Sequence, residues 1–102
     1  MAVDIHFDVS ASREYLRARR WYAARAGESI ASGFVEELDR VLMRLANSPT
    51  SGTEFRQKYR WLRLRRFPYL VYYRIASEQT VVVLAVAHAR RRPGYWIGRD
   101  RS

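Results

Sequence analysis

One stretch near the end of the chain, from Val81 to Ala89, constrains the fold more than any other. It is almost entirely apolar and rich in β-branched valine. A run of this length and composition is typical of a strand that is buried on at least one face. It therefore predicts the central strand of a sheet, and the rest of the chain has to supply its neighbours and its cover.

Two further strands are predicted immediately before this one. Arg60 to Arg66 alternates so that Leu62 and Leu64 share one face of the strand and a tryptophan and two arginines share the other. Tyr69 to Ala76 is the next strand, and residues 77–80 form a hairpin turn to Val81. The pattern predicts a three-stranded antiparallel meander, preceded by a polar connection from Thr50 to Lys58. The outward face of its first strand presents Trp61, Arg63 and Arg65.

The first half of the chain predicts one strand and a helical hairpin. Residues 3–9 alternate between apolar and polar side chains, which indicates a half-buried strand. A first helix is expected to be capped by Ser10 or Ser12, with Glu14 in its first turn, and to end at Gly27. A second helix spans about residues 28–46, where apolar residues recur at helical spacing. The order βααβββ predicts a two-layer α+β fold, in a single domain over residues 1–102.

Composition narrows the classes of partner and site. The 102 residues include no cysteine, which excludes disulfides and thiolate metal sites, and nothing in the chain predicts a metal or a cofactor. No apolar run approaches the roughly 20 residues of a membrane span, and the N-terminus lacks a signal-peptide pattern, so a cytoplasmic protein is expected. The net charge is +9, and all basic residues except Lys58 are arginine. A domain this basic is expected to meet phosphate backbones, an acidic protein or an anionic surface.

The predicted central strand leads directly into a basic and aromatic tail. His88 is followed by a run of three arginines, and Tyr95 and Trp96 come after a Pro-Gly pair. Together with the arginines of the outward strand face, these are the candidate contact residues for a target or an inhibitor: Arg63, Arg65, Arg90, Arg91, Arg92, Tyr95 and Trp96. The alternative for the two aromatic residues is that they fold back on the sheet as a C-terminal lid. The alternative for His88 is that it packs at the strand end and bonds to nearby backbone.

Several of these segments resemble the RelE/ParE superfamily of bacterial toxins. The resemblance covers almost the whole chain, and it is carried by the βααβββ order and by Arg66-Phe67-Pro68-Tyr69, Val71-Tyr72-Tyr73 and the terminal Ala87-His88-x-Arg-Arg-x-Pro-x-Tyr-Trp. The ending resembles the ParE and plasmid-stabilisation branch more than the RelE branch. The resemblance implies a type II toxin that inhibits growth and is neutralised by a cognate antitoxin wrapped around it. It also allows a toxin dimer within a toxin–antitoxin hetero-oligomer.

The two branches imply different targets. ParE-like toxins bind DNA gyrase and are not themselves enzymes, and this is the leading hypothesis. RelE-like toxins are endonucleases that cleave mRNA on the ribosome, and here that activity would rest on His88, Arg91 and Tyr95. A metal-free ribonuclease needs proton-transfer groups and phosphate-binding cations, which these residue types supply. The single lysine departs from the lysine-rich RelE pattern. A non-toxic basic binding module is the third alternative.

Overall fold

The protein is built from a helical hairpin and one five-stranded sheet. The computed structural model describes residues 2–101. The hairpin consists of α1 (Val9–Ala26) and α2 (Glu28–Asn47), which are joined at Gly27. The strands of the sheet are β1 (Asp4–Phe7), β2 (Thr53–Phe55), β3 (Tyr59–Arg63), β4 (Tyr69–Ser77) and β5 (Thr80–His88). After β5, a tail of residues 89–101 includes a short 3₁₀ helix, Ile97–Arg99.

The apolar strand β5 lies inside the sheet, as the sequence predicts. The strand order is β1-β5-β4-β3-β2; β1 runs parallel to β5, and the other neighbours are antiparallel. Val81 and Val83 are 0% exposed. β1 pairs only with the first half of β5, up to Phe7 opposite Val83. Within residues 2–101, the second half of β5 therefore has no strand on that side.

Both faces of the sheet are covered, each by a different part of the chain. One face packs against the helical hairpin, where Val71, Tyr73 and Val83 join Phe34 and Leu38 in the larger apolar cluster. The opposite face carries a smaller cluster, which contains Tyr59, Tyr72, Leu84, Ala85, Ala87 and Trp96. The predicted α+β fold is confirmed, and the tail adds cover on the second face.

The short edge strand β2 lies within the segment that the sequence predicts to be a polar connection, so that prediction is wrong. Thr53 pairs with Trp61 and Phe55 with Tyr59. The loop between the two strands holds Arg56 and Gln57 at positive φ, 51° and 65°. Glycine or asparagine usually occupies such positions, and their absence removes the ordinary sequence signal of a tight hairpin.

The start of α1 also differs from the prediction. Asp8 caps the helix, and its carboxylate accepts the backbone N–H of Ser10 at 2.8 Å. Ser10 and Ser12 therefore lie inside the helix, and Glu14 belongs to the second turn instead of the first. The side chain of Glu14 is consequently free to point towards β5 and the tail.

A buried carboxylate holds the loop between β3 and β4 against α2. Glu37 is 3% exposed and accepts the backbone N–H groups of Arg65 and Arg66 at 2.8 and 3.0 Å. The Nε of Arg66 donates to the second carboxylate oxygen at 2.6 Å. Burial alone would raise the pKa of Glu37, but the hydrogen bonds and charge of Arg66 together with the Arg65 N–H outweigh it. The pKa of Glu37 therefore lies below its ordinary value.

Replacing Glu37 with alanine is expected to lower the free energy of unfolding by about 2 kcal/mol at neutral pH, because two backbone donors lose their acceptor. A carboxylate with a lowered pKa stabilises the fold fully above its unfolded pKa of about 4.3, and this contribution disappears as the pH falls through the folded value. The difference between the wild type and the variant should therefore shrink between pH 7 and pH 3 in urea titrations.

The matched control is Glu36→Ala, which removes an exposed carboxylate from the same helix. Its effect on the free energy of unfolding is expected to stay within about 0.5 kcal/mol at either pH. Equal effects of the two substitutions would contradict the role assigned to Glu37.

Candidate functional site

A groove lies between α1, the sheet and the C-terminal tail. Its volume is about 470 Å³. Four segments form it, and we call it the α1–tail groove. Its lining residues are Glu14, Arg17, Ala18, Trp21 and Tyr22 of α1, Pro68 and Tyr69 at the start of β4, Val86 and His88 of β5, and Arg91 and Tyr95 of the tail.

Aromatic rings form one wall of the groove. The rings of Trp21 and Tyr22 meet edge to face with centroids 5.1 Å apart, and Tyr22 lies 6.3 Å from Tyr69. Burial raises the pKa of both Tyr22 and Tyr69 above the ordinary value, with smaller contributions from Tyr69 and from Glu14 respectively. Both phenols are therefore neutral at physiological pH. Trp21 is 51% exposed, so its ring is available to a bound molecule.

His88 lies at the end of β5 beside this wall. Its ring meets the Tyr69 ring edge to face at 5.3 Å. Its Nδ1 accepts the backbone N–H of Arg90 at 3.1 Å. These contacts match the alternative in which His88 packs at the strand end and bonds to nearby backbone.

A carboxylate at the base of the groove holds the tail in place. Glu14 accepts a short hydrogen bond from the hydroxyl of Tyr95 and two hydrogen bonds from the guanidinium of Arg99, at 2.8 and 3.0 Å. It also accepts the backbone N–H of Val86 at 3.0 Å, while Arg99 donates to the carbonyl of Leu84 at 3.0 Å. Glu14 and Arg99 thus bond to the edge of β5 that β1 leaves open.

These contacts determine the chemistry available to Tyr95. Burial, followed by the hydrogen bond and the charge of Glu14, raises the pKa of Tyr95 well above its usual value. The nearby arginines Arg91 and Arg99 offset this only in part. Arg91 lies over the Tyr95 ring, with its guanidinium carbon 3.8 Å from the centroid. The hydroxyl of Tyr95 is therefore neutral and already donates its hydrogen bond to Glu14. The ring of Tyr95 lies beneath the guanidinium of Arg91.

The predicted site residues fall into separate groups. His88, Arg91 and Tyr95 line the α1–tail groove together. Arg63 and Arg65 line a different pocket, beside α2. Arg90 and Arg92 are exposed on the tail and line neither pocket.

The interpretation of Trp96 as a contact residue is wrong for this fold. Its ring is 0% exposed and packs against Phe55, Tyr59 and Tyr72. A buried side chain with these neighbours is part of the core, so the lid alternative is the correct one for Trp96.

Two residues that hold the tail beside the groove, Glu14 and Arg99, are absent from the predicted set. The sequence pattern places Glu14 in the first turn of the first helix and does not single out Arg99. Their contacts join segments 85 residues apart in the chain, and a sequence carries no periodic signal for such a pair. The sequence does offer a chemical signal for Glu14, because it is an acidic residue on a strongly basic helix.

Neither a metal-binding cluster nor a membrane-spanning helix is found among the described residues. Among residues 2–101, no group of three or more histidine, cysteine or acidic side chains is placed to hold a metal ion. Within the same range, no helix is both long and apolar enough to cross a membrane.

Residues 5–93 match the family of the ParE toxin of the type II toxin–antitoxin system parDE. The chain belongs to the ParE toxin family. The resemblance to the RelE/ParE superfamily is thereby confirmed. No curated protein matches the chain.

Solved structures of toxins share the fold of this ParE-family chain. The chromosomal ParDE toxin–antitoxin system of P. aeruginosa contains a chain with a TM-score of 0.73 and 16% identity, over 87% of this chain and 98% of that one. A double mutant of E. coli toxin RelE in the free state gives a TM-score of 0.69 and 23% identity, over 97% and 98%. The same mutant in complex with an antitoxin RelB peptide gives 0.61 and 22%, over 100% and 99%.

Proposed function

We propose that this chain inhibits growth by binding DNA gyrase and that a cognate antitoxin neutralises it. Membership of the ParE family supports the toxin role and the antitoxin partner. The observation that favours binding over catalysis is the hydrogen bonding and the raised pKa of the Tyr95 hydroxyl. The hydroxyl is bonded to Glu14 and its pKa is raised, so it is poorly placed to exchange a proton with a substrate.

The surface around the groove suits a large acidic target. Arg17, Arg90, Arg91 and Arg92 are exposed at or beside the groove, and the exposed ring of Trp21 lies within it. Half-exposed aromatic residues and arginines are the side chains that most often dominate binding energy at protein interfaces. We propose that the groove and the arginine run contact gyrase, that Arg63 and Arg65 contribute to partner binding elsewhere, and that the protein works in the cytoplasm as one domain.

The purified protein is expected to block supercoiling by gyrase at micromolar concentration and to accumulate broken DNA. The readout is plasmid topology on agarose gels, with and without detergent and protease to reveal cleaved DNA. A protein preparation that leaves supercoiling unchanged at micromolar concentration would contradict the proposal. Arg91→Gln combined with Arg92→Gln tests the arginine run, and Arg13→Gln combined with Arg20→Gln is the charge-matched control on α1.

A ribosome-dependent mRNA endonuclease is the second candidate, because His88, Arg91 and Tyr95 line one groove. The two functions differ in what happens to cellular mRNA. If the chain acts on gyrase, induction should arrest growth and leave cellular mRNA uncut. If it cleaves mRNA, new 5′ ends should map inside translated frames after induction, and the His88→Ala and Tyr95→Phe variants should lose them.

A further inference from the structure

The α1–tail groove has the size and the lining of a small-molecule site. Its volume of about 470 Å³ falls within the range of roughly 300–1,000 Å³ that is usual for such sites. Most of its lining residues are apolar or aromatic, and a few polar groups lie among them. This combination is typical of a pocket that takes a small organic ligand, and the chemistry of the ligand follows from the side chains that face it.

Four rings form a continuous row along one wall of the groove. The centroids of Trp21 and Tyr22 lie 5.1 Å apart, and those of Tyr22 and Tyr69 lie 6.3 Å apart. The row continues from Tyr69 to His88 at 5.3 Å. Each ring meets the next edge to face, at interplanar angles of 89°, 65° and 76°. A flat aromatic ligand beside such a row packs against ring faces and ring edges together.

Two arginines bring positive charge to the groove. Arg17 lies one helical turn before Trp21 on α1, so the two side chains share a helix face. Arg91 comes from the tail, and its guanidinium is held over the Tyr95 ring. Both arginines are exposed, and within residues 2–101 neither forms an ion pair. An anionic group on a bound ligand supplies the missing partner for both.

The side chains of the groove offer hydrogen-bond donors but no free carboxylate. Glu14 is the one acidic side chain among the described residues that line it, and each carboxylate oxygen already accepts two hydrogen bonds. A carboxylate has about four acceptor positions, so Glu14 is saturated. His88 is fixed as a donor, because its Nδ1 accepts the Arg90 N–H and the neutral ring then carries its proton on Nε2. The ligand therefore has to bring acceptors.

We propose that the α1–tail groove binds a small planar aromatic carboxylate. The ring of this ligand lies against the row of aromatic side chains that begins at Trp21, and its carboxylate pairs with Arg17 and Arg91. A nucleotide fits less well, because the amino groups of a nucleobase need acceptors and the carboxylate of Glu14 is already used. The inference holds whether or not gyrase is the target, because all of these groups belong to this chain.

Calorimetric titration of the full-length protein with 2-naphthoate tests the proposal. The expected dissociation constant is about 0.1–1 mM, which suits a ligand of this size. The neutral compound 2-naphthamide has the same shape and is expected to bind about tenfold more weakly. This comparison uses the wild-type protein, so no substitution can disturb the fold. Equal affinities for the two compounds, or the absence of 2-naphthoate binding at about 5 mM, would overturn the proposal.

Three variants locate the bound compound in the groove. Arg17→Gln/Arg91→Gln is expected to weaken 2-naphthoate binding about tenfold, and Trp21→Ala about fivefold. The charge-matched control Arg13→Gln/Arg20→Gln should stay within about twofold, since neither of its arginines lines the groove. Equal losses in the two double variants would contradict the assignment of the site. Tighter binding of adenosine monophosphate than of 2-naphthoate would contradict the assigned class of ligand.

Discussion

Replacing Trp96 with alanine is expected to lower the free energy of unfolding by about 3–5 kcal/mol. The indole is 0% exposed, and its centroid lies 4.7 Å from that of Tyr72 and 4.8 Å from that of Tyr59. Truncation to alanine leaves a cavity on the face of the sheet that the tail covers. It also removes the apolar contact that holds residues 89–101 against β4.

The matched control is Trp21→Ala, because it deletes the same side chain from a half-exposed position on α1. Its expected effect is about 1 kcal/mol or less. Urea titration followed by circular dichroism gives both values without depending on tryptophan emission. A Trp96→Ala variant as stable as Trp21→Ala would mean that the tail does not pack on the sheet in solution.

A milder substitution tests the packing in more detail. The indole N–H of Trp96 has no hydrogen-bond partner among the described residues. Trp96→Phe removes that unpaired donor while keeping an aromatic ring against Tyr59 and Tyr72. Its expected loss of stability is about 1 kcal/mol, far below that of the alanine variant, because the removed donor partly offsets the lost volume.

The behaviour of Trp96 illustrates how far the sequence could predict this molecule. Strand alternation and helical stripes predicted the element order and the central position of β5, because these patterns reflect burial on a local repeat. The position of Trp96 depends on a chain reversal at Gly94, which has φ of 89°. A basic run immediately before it favoured an exposed tail, and no local pattern indicates that the chain turns back onto the sheet.

The candidate site was predictable only in part for the same reason. His88, Arg91 and Tyr95 could be chosen from their chemistry and their position after a buried strand. Glu14 could not, since its hydrogen-bond partners lie 72 to 85 residues away in the chain. The start of α1 mattered as well. Capping by Asp8 instead of Ser10 or Ser12 moves Glu14 out of the first turn and onto the side that faces β5.

Replacing Glu14 with alanine is therefore the second substitution with a large expected effect, about 3 kcal/mol of lost stability. The side chain is 10% exposed and that of Arg99 is 22% exposed, so the substitution leaves a largely desolvated guanidinium without its carboxylate. It also removes the acceptor for the Val86 N–H and for the Tyr95 hydroxyl. The control Glu28→Ala breaks an exposed pair with Arg19 and is expected to change stability by about 0.5 kcal/mol or less.

A double-mutant cycle separates the ion pair from the other contacts of Glu14. The Glu14→Ala and Arg99→Ala substitutions are expected to couple by about 1–3 kcal/mol, because both groups bond to each other and to the same edge of β5. A coupling energy near zero would contradict the pairing. Hydrogen exchange adds a local measurement: in Glu14→Ala the amide of Val86 should exchange faster, whereas that of Val83, deeper in the sheet, should keep its protection. This pattern would identify Glu14 as the residue that closes the open half of β5 and fixes the tail beside the α1–tail groove.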